Sequence, residues 1–397
     1  MSEEKSFFQT NPFFKVLLRE IERMSGSTIY LFTTLIGPLI SFVVLLTIFS
    51  DGVPSRLPVG LVDLDNTVLS RKMGQWINAT LEAEITFRSP DMNEAKQMME
   101  NGTIQAIVLI PEGTEKEILK GSGQTIPVYI NNTNILTGGY LQKGIYKAMA
   151  TLSGGVKMQV ALKKGLTEEQ AMAGIQPVQM HQHVLFNPFG NYAYFLLSAL
   201  LPLMIILFTM LSGIYSIGIE LREGTGPDWL EHSGDSIIVA LAGKLAPYML
   251  LLTINMIVMN VILFVKMGTP LQGSFALIML GEILLIAAYQ MLGVLFVAAT
   301  SNLRLSLSLA SAYSMMALTF AGLTFPQFSM PLLARIFSLL FPFTYWVKIF
   351  ISQAFRGESV LQGVLLIGAL IVFILVSVLS FPLLKKRLKN EKYWGKI

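Results

Sequence analysis

Six stretches of the chain are apolar for about twenty residues or more, the length a helix needs to cross a hydrocarbon core of about 30 Å. They run from about Ile29 to Phe49, Tyr192 to Ile219, Ile237 to Val265, Phe275 to Ala299, Leu305 to Phe325 and Val360 to Leu384. Gly37-Pro38 inside the first predicts a kink. The stretch between the first two has a different grain. Pro58 to Asp63 reads as a short buried strand ending in the turn Asp65-Asn66, and Thr67 to Ala83 has helical spacing. Ile85 to Phe87 predicts a second strand, and Asp91 to Asn101 a helix capped by Asp91 and ended by Gly102. Ile104 to Ile110 is the clearest strand, closed by Pro111-Glu112-Gly113; Thr125 to Ile130 predicts another. Leu136 to Leu162 then reads as a long helix, weakened by Gly138-Gly139 and Gly154-Gly155. Strands alternating with helices predict a small mixed sheet. The expected fold is an α-helical polytopic membrane protein of about six transmembrane helices with an inserted α/β domain.

Composition agrees. Of 397 residues, 53% are hydrophobic and only 14% charged, where a soluble surface needs about a quarter charged. Cysteine is absent, which excludes disulfides, thiolate metal sites and cysteine nucleophiles and suits a protein with an extracytoplasmic face. The net charge is +4, and basic residues concentrate at the two ends beside apolar segments, which points to the membrane surface rather than nucleic acid. Lys5, Lys15, Arg19 and Arg23 precede the first span; Lys385, Lys386, Arg387, Lys389, Lys392 and Lys396 follow the last. Both tails are therefore expected in the cytoplasm, which requires an even number of crossings. No cleavage site follows the first apolar stretch, so it is read as a retained span.

The resulting division is a cytoplasmic tail with an interfacial helix over 1–28 and a first span over 29–50. An extracytoplasmic domain over 51–190 follows, then five further spans over 191–384 and a basic tail over 385–397. Between the fifth and sixth spans, Pro326 to Ser359 is too apolar for an exposed loop and is broken by Pro331 and Pro342. It reads as short helices at the outer leaflet, either re-entrant or interfacial, with Tyr345 and Trp346 as interface aromatics.

Candidate chemistry is sparse. No Gly-x-x-x-x-Gly-Lys-Ser/Thr loop is present. His181 and His183 are two positions apart, but a metal needs more ligands, and they read as linker residues. More informative is the short segment after the second span, Glu220-Leu221-Arg222-Glu223-Gly224-Thr225, running on to Trp229 and Leu230. Mixed charges with an exposed aromatic suit a docking surface, where the ring supplies contact area and the charges fix register. The plainer alternative is an interfacial turn with Trp229 at the headgroups.

The layout resembles the permease subunit of a type-2 ABC exporter over nearly its full length. Three runs carry the resemblance: Glu220 to Thr225, Lys244-Leu245-Ala246-Pro247, and Phe325-Pro326 with Met330-Pro331 and Pro342. Their order and spacing are more specific than any one of them. The resemblance implies that Glu220, Arg222, Glu223, Gly224 and Thr225 form a coupling helix docking on a separate ATPase subunit. Trp229 and Leu230 depart from the family's carboxylate-rich continuation. It also implies a dimer with a second copy or a paralogue, outward movement of a hydrophobic or amphipathic substrate, and residence in a bacterial inner membrane. No cofactor is expected on this chain, ATP being used by the partner; whether a periplasmic adaptor joins it stays open, and catalytic residues are not expected. The lack of a phosphate loop fits a motor on another polypeptide.

Polar groups inside spans carry functional hypotheses by default. Lys244, Asn255, Asn260, Glu282 and Gln290 are therefore candidate translocation-path residues. Lys244 is expected to snorkel to the cytoplasmic surface. For Glu282 three placements stand open: a pair with Lys244, a water-filled path, or the outer interface. An ion-coupled secondary transporter would show repeated halves and several midplane charges, and a membrane-anchored sensor would carry a cytoplasmic output domain. Neither feature is evident.

Overall fold

The computed structural model describes residues 11–50, 52–175, 183–187 and 190–395. Lys5, His181 and Lys396 lie outside the described residues. The chain forms α1 (Pro12–Ser25) and α2 (Thr28–Ile48), then β1 (Leu57–Asp63), α3 (Val68–Asn78), β2 (Ala83–Ser89), α4 (Met92–Glu100) and β3 (Ala106–Ile110). Next come α5 (Thr114–Leu119), β4 (Val128–Ile130), α6 (Ile135–Lys163) and α7 (Glu168–Ile175). The remaining helices are α8 (Tyr192–Glu223), α9 (Gly226–His232), α10 (Ile237–Lys266), α11 (Phe275–Thr300), α12 (Leu303–Phe320), α13 (Leu332–Ser338), α14 (Pro342–Arg356) and α15 (Val360–Leu388). They group into two units, Asp51–His183 and Met1–Ser50 with Val184–Ile397.

In the first unit the strand order is β2-β1-β3-β4, with β1 parallel to both neighbours and β4 antiparallel to β3. Successive side chains point to opposite faces. Leu61 packs with Met73, Ile77 and Leu141 under α3 and α6, whereas Val62 packs with Ala95 and Ile107 under α4. Burial on both faces is why these strands are continuously apolar. The helix α3 starts at a capping box between Thr67 and Ser70. The glycine pairs do not break α6, and α5 and α7 are short helices the pattern did not announce.

In the second unit α8 is central, packing on α2, α10, α11 and α12. Among the described residues five helices, α2, α8, α10, α11 and α15, are long and apolar enough to cross a membrane; α13 and α14 pass only as a pair, bent by 86°. The expected fifth span coincides with α12, which ends at Phe320 rather than Phe325 and is not among those five. Ser306, Ser308 and Ser311 dilute it, their hydroxyls bonding back to carbonyls four residues earlier.

The path of the chain shows where the sixth crossing comes from. Arg387 near the end of α15 donates to Ser301, just before α12, at 2.5 Å. Gln353 of α14 bonds Ser274 at the start of α11, and Gly363 of α15 packs on Leu277 of α11. The segment from Leu303 to Val360 therefore begins at one end of α11 and finishes at the other, a net single crossing. Phe341, at the bend between α13 and α14, touches Tyr313 and Phe320 of α12. Trp346, expected at an interface, is instead fully buried beside Gly281.

The first span departs from a regular α-helix just before the position where a kink was expected. A π-helical turn, Phe32–Ile36, precedes Gly37-Pro38. A Cβ on Gly37 would lie 2.6 Å from the Phe208 ring, so only glycine allows α2 this close to α8.

Candidate functional site

Helix α1 begins because Asn11 caps it, accepting from the Phe13 amide at 3.0 Å, with Pro12 in the first turn. Its Val16 and Glu20, four apart, face inward and are fully buried. It lies close along α10 at Gly243, where a Cβ would stand 2.9 Å from both Phe13 O and Val16 Cβ. Helix α8 stops at Gly224, which is left-handed at φ 72° and suited to a C-terminal cap. The short helix α9 follows, and Ser236 caps α10 after a turn through Gly234 and Asp235.

These three helix ends bring Glu220, Lys244 and Glu20 together, each at 0% exposure. Arg19 grips Glu220 with both arms, Nη1 to Oε1 at 2.6 Å and Nη2 to Oε2 at 3.0 Å. Arg23 Nη1 also reaches Oε1 at 2.6 Å, and its other nitrogen meets Glu223. Lys244 Nζ donates to Glu220 Oε1 at 2.7 Å and to Glu20. Tyr248, one turn further along α10, donates to Glu20 Oε1 at 2.5 Å, and Thr225 donates to Glu220 Oε2. Three cations and three carboxylates thus balance in one place. Lys244 also lies 4.8 Å above the Trp229 ring, a contact that gains strength when desolvated. Tyr30, Tyr215 and Tyr248 form an aromatic layer beside it.

Two expectations are corrected here. Lys244 does not snorkel: it sits two turns inside α10, where carboxylates on α1 and α8 reach it before water does. Trp229 is not exposed. A seven-residue helix directs Trp229 and Leu230 inward, both at most 1% exposed, and leaves Asp228, Glu231 and His232 outside. Of the remaining candidate coupling residues, Leu221 is buried, Arg222 and Glu223 are exposed, and Gly224 and Thr225 are half-buried.

The other polar span residues form separate ties. Asn255 Nδ2 donates to the Thr34 carbonyl at 2.9 Å and to Leu251. Thr34 is four residues before Pro38, which has no N–H to offer it. Asn260 Nδ2 donates to Glu282 Oε2 at 2.7 Å; Glu282 bonds there and not to Lys244. Gln290 reaches the Leu245 carbonyl at 3.4 Å. Each joins two helices of the bundle, and each is almost wholly buried.

Sequence reasoning read Arg19 and Arg23 only as topological charge, and passed over Glu20 and Tyr248. Four-residue spacing was the available signal: Arg19 with Arg23, and Lys244 with Tyr248, each share one helix face.

The basic tail closes the same end of the bundle. Lys385 and Lys389 pair with Asp235 at 3.2 and 2.6 Å, and a Cβ on Gly224 would stand 3.0 Å from the Trp394 ring. Polytopic helices, an inserted sheet and a charge-bound turn after α8 agree with a further finding: the family model for the ABC-2 family transporter protein matches residues 28–381. The chain belongs to the ABC-2 transporter family. No curated protein matches it. As an ABC-2 member it is an ABC-type permease, a multi-pass membrane subunit of a transporter, and membership implies an ABC ATPase partner in general.

Proposed function

We propose that this chain is the membrane subunit of an ATP-driven exporter, moving a hydrophobic or amphipathic substrate across a bacterial inner membrane. A separate nucleotide-binding subunit docks on the turn formed by the end of α8, α9 and the start of α10. The observation that carries this reading is the two-sided build of that turn. Its outer side offers Arg222, Glu223, Asp228, Glu231 and His232, all exposed. Its inner side is anchored by Glu220, Trp229 and Lys244, all fully buried. Charges of both signs suit register-setting recognition, and a buried root suits transmission of a push as rigid-body movement of helices. Glu220, Leu221, Trp229 and Leu230 then serve as the root rather than as contacts.

The absence of a phosphate loop on this chain supports a motor on another polypeptide. The basic tail supports reading this end of the bundle as cytoplasmic and the inserted unit as extracytoplasmic. A second permease, identical or paralogous, completes the path; export rather than import rests on the type-2 resemblance. The test is co-purification with candidate ABC ATPases. Charge reversal by Asp228→Arg with Glu231→Arg should abolish ATPase capture and ATP-driven transport while the unfolding temperature stays put. Undiminished capture and transport in that variant would overturn the docking assignment.

A further inference from the structure

The inserted unit has a side that its helices, among the described residues, do not close. Helix α6 has 29 residues, about 43 Å at 1.5 Å per residue, whereas β4 has 3. Its fully buried contacts with the sheet core, Leu141, Ile145 and Ala148, all lie in its first half. The second half runs on, and α7 folds back against it with Ala171 buried. Between this hairpin, α3 and β4 lies a cavity of about 970 Å³, large against the roughly 300–1,000 Å³ of small-molecule sites.

Its walls are apolar: Met73 of α3, Val128 of β4, and Met149, Leu152 and Val156 of α6. The last four are only partly buried against the sheet core. Methionines on the wall adapt to a flexible chain. Its charge has one sign. Among the described residues no Asp or Glu lines the cavity, and its charged lining residues are Lys157 and Lys164, both exposed. Lys157 on α6 and Lys164, its C-terminal cap, are seven positions apart, about two helical turns. Neither forms an ion pair among the described residues. Lysine stems lie along apolar surface while the ammonium reaches outward, so a greasy trough ends in two unclaimed cations.

We propose that the inserted unit binds a single-chain amphiphile, its alkyl chain in this cavity and its anionic carboxylate or phosphate head held by Lys157 and Lys164. The inference rests on this unit alone and stands apart from the transport reading. The full chain in lipid nanodiscs is photolabelled with palmitate bearing a mid-chain diazirine, and the adducts are mapped. Adducts are expected on α6 and α7. Unlabelled palmitate displacing them identifies a carboxylate head; lysophosphatidylglycerol displacing them identifies a phosphate head; palmityl alcohol should displace neither. Lys157→Gln with Lys164→Gln should cut labelling about tenfold, the loss of a charge-assisted hydrogen bond. Val156→Trp should fill the cavity and abolish labelling, with the unfolding temperature unchanged in both variants. Adducts confined to the membrane helices, equal displacement by the alcohol, or cross-linking of these helices to a second copy of the chain would overturn the proposal. ATPase capture is a separate readout, so either idea can fail without the other.

Discussion

Lys244 Nζ and Glu220 Oε1 lie 2.7 Å apart with both side chains at 0% exposure. Burying charge is expensive, and a buried ion pair is not in itself evidence of stability. Here the pair sits in a network in which Arg19, Arg23, Glu20 and Tyr248 satisfy the remaining bonds. Such a network has one favoured geometry, and it fixes how the turn after α8 meets α1 and α10.

Removing one member should therefore cost more than the pair is worth. Lys244→Met leaves two buried carboxylates facing each other, and Glu220→Gln leaves three cations sharing two carboxylates. Each should destabilise the protein by about 3–5 kcal/mol, read as a lower unfolding temperature in nanodiscs. Arg222→Ala, on the exposed side, should change it little. Equal effects would mean the buried network does not anchor the turn.

How much of this was legible beforehand follows from what the environment enforces. Lipid demands long apolar runs, so α2, α8, α10, α11 and α15 could be placed within a few residues. The α12 to α14 stretch was harder, because helices shielded by other helices need not be uniformly apolar, and its serines and prolines blur the pattern. Lys244 was visible as an anomaly, but its partner Glu20 lies 224 positions earlier, a distance no local pattern spans. Trp229 was misplaced for a related reason. Its neighbours in sequence are charged, yet on a helix a neighbour in sequence points elsewhere.

Gly226 provides a steric test of how the tail docks. A Cβ there would lie 2.9 Å from both the Leu388 carbonyl oxygen and its side chain, and a backbone oxygen cannot swing aside as a side-chain tip does. Gly226→Ala should push the tail from α9, increasing amide exchange over residues 385–395. Unchanged protection would show that the tail tolerates the displacement.

Asn255 and Pro38 make a second coupled pair. Asn255→Leu should leave the Thr34 carbonyl without its donor and cost about 1–3 kcal/mol, the penalty of an unmet buried acceptor. In a Pro38→Ala background residue 38 regains an N–H, so the same substitution should cost distinctly less. The double-mutant cycle in unfolding temperature reads this difference. Additive effects would separate the two residues.

The tail clasp should respond to acid, and the sign follows from Asp235. Hydrogen bonds from Lys389 and then Lys385 hold its carboxyl below the usual carboxylate value. A carboxyl whose folded value is depressed contributes stability above its unfolded value and loses it as pH falls through the folded one. Docking should therefore be complete at neutral pH and loosen only below about pH 4. A nitroxide at Lys392 should be immobile at pH 7 and gain mobility in acid. Because the pair is exposed, salt should weaken it as well. Asp235→Asn keeps a residue that tolerates the left-handed backbone at this position, φ 61°, and should be mobile at both pH values. A transition centred near neutral pH would remove Asp235 from the role.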